Sequence, residues 1–121
     1  MHSPKTETQA AIAREYAEAL IGVLRKTMVQ WPTTAAGAVT QPMQQYASLL
    51  AEKLGVGCPD HVNGLDRVTL FEAMHALQHL GCYLDRAKHA QLLSPTRRAL
   101  ILELHKTTLK EVRLLLRTAP T

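Results

Sequence analysis

Apolar residues recur every three or four positions through most of this chain, the spacing of one buried stripe on an α-helix. The first such stripe is Ala13, Tyr16, Ala17, Leu20, Val23, Leu24 and Met28. Ser3-Pro4 suits its start: serine caps, and proline fits a first turn whose N–H has no helical partner. Glu7 favours the positive helix end, and Arg25 and Lys26 favour the negative one. Trp31-Pro32 ends the pattern, because the residue before proline avoids the α region. The predicted helix covers about 4–30.

Residues 32–41, PTTAAGAVTQ, have no useful period and read as a loop lying over the core. Pro42, preceded by Thr40 and Gln41, marks a second start. Met43, Tyr46, Ala47, Leu50 and Leu54 form its stripe, and Gly55 is placed to end the helix in the left-handed region. That predicts a helix over about 42–54. Residues 55–66 carry Gly-Val-Gly, Cys-Pro-Asp and Asn-Gly, a dense run of turn signals.

The central helix spans about 68–90. Leu70, Ala73, Met74, Leu77, Leu80, Gly81 and Leu84 form its inner stripe, with Asp66 or Thr69 as cap. Its opposite side holds Val68, Phe71, Glu72, His75, His79, Cys82 and Arg86. A face meeting plain water does not call for Val68 and Phe71. The expectation is a side partly covered by another part of the chain or by a second copy, and a homodimer through it. Ser94-Pro95 opens the last helix, about 95–117, with Ile101, Leu102, Leu104, Leu109, Val112, Leu115 and Leu116 inward.

These four segments predict an all-α, single-domain, irregular four-helix bundle. Its composition agrees: aromatics are 4% of 121 residues, too few for a typical sheet protein. No apolar run reaches about eighteen residues, so no span is expected. The start, MHSPKTETQ, lacks a secretory pattern. A cytoplasmic setting is expected, with the two cysteines as free thiols or metal ligands rather than a disulfide.

Charge adds a second feature. Residues 1–85 hold six Lys/Arg and eight Asp/Glu, whereas residues 86–121 hold eight and two. Lys106, Lys110, Arg113 and Arg117 fall on one stripe of the last helix, with Arg97 and Arg98 near its start. Such a row suits nucleic acid or an acidic protein. A solvated helix face is the simpler account of it, because charged helix faces are ordinary.

Metal chemistry has one candidate set. His75, His79 and Cys82 share a face, and Cys58 and His61 lie in the preceding loop. Zinc takes four N or S ligands, which these could supply, although the spacing is loose. An ordinary polar face and loop thiol are the simpler reading, and no cofactor is expected.

Tyr46–Val56, YASLLAEKLGV, resembles the first helix and turn of a helix-turn-helix. The resemblance ends there, because Gly57–Leu65 intervenes where that motif needs about three or four residues. Nothing assembles a nucleophile, base and oxyanion donors. The expected function is a non-enzymatic helical interaction module (adaptor, chaperone-like or regulatory) acting through Val68, Phe71, His75, His79 and Cys82. The alternative is a nucleic-acid-associated regulator using the basic last helix.

Overall fold

The computed structural model describes residues 4–57 and 65–119, with side chains from Gln9 onward, Ala36 excepted. Four helices make the fold: α1 Pro4–Met28, α2 Gln41–Leu54, α3 Arg67–His89 and α4 Pro95–Thr118. No strand occurs among the described residues. Each helix packs on its neighbour in sequence, and α1 packs on α4 to close the ring. Helices α1 and α3 are therefore diagonal, as are α2 and α4.

Two long-range bonds fix the directions. Trp31 Nε1–H, just past α1, donates to Leu92 O in the α3–α4 turn at 3.0 Å. Arg14 Nε–H, in the first half of α1, donates to Leu54 O at the end of α2 at 2.8 Å. The chain thus runs up, down, up and down. Short connections favour such antiparallel neighbours.

The core is aliphatic. Leu20, Leu24, Met43, Leu50, Leu54, Leu70, Leu77, Leu80, Ile101 and Val112 are its largest fully buried apolar side chains. Each contributes about 1.5–3 kcal/mol on burial. Alanines at 13, 17, 47, 73, 76 and 87 are also buried, letting helices approach closely. Thr27 and Thr108 join them by bonding their own helix: Thr27 Oγ1 donates to Val23 O and Thr108 Oγ1 to Leu104 O, both at 2.7 Å. That back-bonding satisfies the hydroxyl at low cost.

Several stripe positions differ from their predicted burial. Ile21 takes the inward place given to Tyr16, which is exposed. Val23, Tyr46, Met74, Leu104 and Leu109 are only half-buried, and Leu102 is exposed. Each lies at an edge of its stripe, where a four-helix ring leaves the seam open.

The linker is not a loop. A 3₁₀ turn at Thr33–Ala35 leads into a π turn at Ala36–Thr40, continuous with α2. Val39 is buried, so the segment does lie over the core. Proline at 42 removes one N–H and crowds the carbonyl four residues back; a widened turn accommodates both. Thr40 therefore does not cap α2. Its backbone is helical and its hydroxyl is buried without a hydrogen-bond partner.

Elsewhere the caps form. Asp66, rather than Thr69, caps α3 by accepting from Thr69 N–H at 2.8 Å. Ser94 caps α4 by accepting from Arg97 N–H at 3.2 Å. The predicted Ser3 cap lies outside the described residues. Gly55 ends α2 at φ 72°, with Val56 N–H returning to Ala51 O at 2.9 Å. The same closure ends α3, where Leu92 N–H reaches Ala87 O at 2.9 Å. There Gln91 occupies the left-handed position, at φ 60°.

Candidate functional site

Helix α3 buries Leu70, Ala73, Ala76, Leu77, Leu80, Leu84 and Ala87. Its remaining surface divides into a seam toward α2 and an open outer ridge. At the seam, Lys53 Nζ meets Glu72 Oε2 at 2.7 Å. The Glu72 carboxylate raises the Lys53 pKa, first through that hydrogen bond and then through its charge. Further along, the His79 ring stacks on Tyr46 with centroids 4.4 Å apart and planes 3° from parallel. Tyr46 also faces Tyr83 at 6.0 Å, and the Arg86 guanidinium lies 4.9 Å over the Tyr83 ring. Rings of α2 and α3 thus lie side by side along this seam.

The outer ridge remains open. Val68 is 66% exposed and Phe71, the chain's single phenylalanine, is 52% exposed. Arg67 lies near Phe71, its guanidinium carbon 5.9 Å from the ring centre, at the limit of a cation–π contact. His75 and Cys82 are exposed, Cys82 as a free thiol. The five residues expected on this side do lie on it. Among the described residues, α2 covers the Glu72 and His79 edge, through Lys53 and Tyr46.

One contact sharpens the histidine pair. His75 Nε2 and His79 Nε2 are 3.0 Å apart, with the rings near perpendicular. A hydrogen bond between them has one ring's Nε2–H donating to the other's Nε2, with the tautomers setting which ring donates. Among the described residues, no three His, Cys, Asp or Glu side chains gather to hold an ion. Of the five zinc candidates, His75 and His79 meet, Cys82 does not join them in a three-ligand set, and Cys58 and His61 lie outside the described residues.

A third histidine, absent from the expected sites, sits in the α3–α4 seam. His105 Nε2–H donates to Leu77 O at 2.6 Å. Gly81 makes room for it: a Cβ there would stand 3.3 Å from His105 Cε1. Beside it, Gly81, Leu84, Asp85, Lys88, Leu93, Arg98 and Leu102 line a cavity of about 150 Å³. Sequence periodicity placed Gly81 inward but carried no signal for its histidine partner.

On α4, Lys106, Lys110, Arg113 and Arg117 are all exposed. None reaches a carboxylate among the described residues. Arg97 and Arg98 are half-buried instead, and Arg98 lines the α3–α4 cavity. Helical rotation takes them off the ridge: at about 100° per residue, Arg97 lies opposite Lys106 and Arg98 about a quarter turn from it.

The Tyr46–Val56 resemblance stays partial in three dimensions. Twelve residues separate the end of α2 from the start of α3, which is capped by Asp66, where the motif needs about three or four. No helix of the described residues is long and apolar enough to cross a membrane. The chain matches no protein-family model, no curated protein and no solved structure.

Proposed function

We propose that this chain is a non-enzymatic helical interaction module that docks a protein partner on the outer ridge of α3. The observation carrying this reading is Phe71, half exposed beside Val68 on a helix whose opposite face is fully packed. Aromatic side chains are enriched at the core of protein contacts, and a half-exposed Phe beside a second apolar residue fits that role. His75, His79 and Cys82 extend the ridge with groups that accept and donate. An adaptor, chaperone-like or regulatory role fits such a surface, with a second copy of the chain as the first occupant to test.

Light-scattering mass across a concentration series, together with partner capture, tests the reading. Phe71→Asp is expected to keep the helical circular dichroism spectrum and to lose association. A Phe71→Asp chain that is soluble, folded and unchanged in both mass and partner binding would sink it.

A second reading has its own support in the exposed row Lys106, Lys110, Arg113 and Arg117, which meets no carboxylate among the described residues. It makes the chain a nucleic-acid-associated regulator bound through α4. Anisotropy of labelled duplex and single-stranded DNA decides it. Binding that falls steeply with salt and disappears in Lys110→Glu/Arg113→Glu supports the regulator. No binding at low salt removes it.

A further inference from the structure

The histidine pair on α3 has a geometry that docking does not need. Two imidazoles four residues apart lie on one helix face, one turn from each other. Here they do more than share a face: both Nε2 atoms converge to 3.0 Å. Stacking on Tyr46 holds the His79 ring, while His75 stands exposed to solvent. We propose that His75 and His79 form a two-imidazole chelate for a divalent late transition-metal ion, with water completing its coordination.

The separation fits a narrow bite at the ion. With metal–nitrogen bonds of about 2.0–2.1 Å, a 3.0 Å span subtends about 91–97° at the ion. That is near the right angle of a tetragonal or octahedral site, and below the tetrahedral angle that zinc prefers. Imidazoles in tetragonal arrangement suit Cu²⁺ and Ni²⁺, which also lead most divalent ions in intrinsic affinity for nitrogen ligands. The site therefore differs from the four-ligand zinc arrangement suggested by Cys58, His61 and Cys82.

Proton balance is simple. In the neutral pair one ring carries its proton on Nε2 and the other on Nδ1. On metal binding the first ring moves its proton to Nδ1 through solvent, and both Nε2 lone pairs meet the ion. No net proton is released from the neutral pair, whereas acid competes for both nitrogens. The inference does not rest on the docking reading; Phe71 is not a ligand.

Isothermal titration of the full chain, stripped with chelator and then titrated with Ni²⁺, tests the site. Nickel is chosen because the Cys82 thiol does not readily reduce it. The expected result is one ion per chain. His75→Gln, at an exposed position, should keep the helical spectrum and weaken binding by about tenfold or more, the scale at which metal sites lose affinity even when only a supporting partner is removed. His89→Gln, exposed near the end of the same helix, should bind as the unaltered chain does. Absence of Ni²⁺ binding, or equal binding in His75→Gln, would overturn the chelate. Zn²⁺ binding that is tighter than Ni²⁺ binding and is likewise lost in His75→Gln would overturn its tetragonal geometry.

Discussion

The outer faces of α3 and α4 are both open to solvent, yet they differ in the free energy they leave unused. On α4 the exposed row is Lys106, Lys110, Arg113 and Arg117, groups that water solvates well. On α3 it begins with Val68 and Phe71, whose apolar surface gains by leaving water. A solvated cation row needs no partner to explain it. A half-exposed phenylalanine next to a converging histidine pair is harder to assign to solvation alone. This difference places the docking proposal on α3 and keeps the α4 proposal second.

The largest expected effect tests that ranking directly. If Phe71 anchors a partner, Phe71→Asp should weaken association by at least about 2 kcal/mol, roughly thirtyfold, as hot-spot truncations do. Lys110→Glu/Arg113→Glu should leave the same association nearly unchanged. Sedimentation or light scattering on both variants reads the comparison, and reversed outcomes would exchange the roles of the two faces.

Much of the frame behind these faces was legible in the chain. Proline starts, Gly55 and the 3.6-residue period place all four helices within two residues of their observed ends. The face of α3 carrying Val68, Phe71, His75, His79 and Cys82 was legible for the same reason. Partners across seams were not. Periodicity says that Tyr46 lies near the apolar side of α2, but only helix order puts His79 against it. Likewise, nothing in the spacing of α4 tells that His105 reaches Leu77 O, or that buried Thr108 bonds its own helix. The helical turns of the linker are not legible in periodicity, because Ala, Gly and Thr carry little amphipathic signal although they accept a helical turn.

The next effect concerns the seam joining the two compared helices. Gly81→Ala places a methyl about where His105 packs, at 3.3 Å from Cε1. His105 is tied to Leu77 O and cannot retreat without lengthening that bond. A loss of about 1–3 kcal/mol is expected, the range for overpacked interiors, offset in part by the helix preference of alanine. Urea unfolding measures it. A gain in stability would mean that the α3–α4 seam yields, and that the two faces are less rigidly placed.

Acid gives a smaller effect at the start of α3. The Thr69 N–H bonded to Asp66 lowers that carboxyl's pKa below its ordinary 3.8. A depressed folded pKa stabilises above the unfolded value and loses its contribution as pH falls through the folded value. Asp66→Asn keeps a capping oxygen without a titrating charge. Below about pH 4 the native chain should lose melting temperature more steeply than Asp66→Asn, by linkage. Parallel pH profiles for the two would remove the capping carboxylate from the account.

The smallest expected effect is on the stability of the α4 double reversal, and it bears most closely on how that face is read. Lys110 and Arg113 are exposed and reach no described carboxylate, so the fold does not depend on their charge. Their replacement by glutamate should move unfolding free energy by no more than about 0.5 kcal/mol, as for surface positions without special contacts. Relief of repulsion along Lys106, Lys110, Arg113 and Arg117 would act in the stabilising direction, while acidic groups toward the helix C-terminus act against it. Denaturant midpoints at low and high salt separate these contributions, because screening weakens both. A large loss at either salt would mean that the row holds the bundle together, and its exposure would then no longer argue for a partner. A near-zero change leaves the cations free for one, and moves the decision to DNA anisotropy.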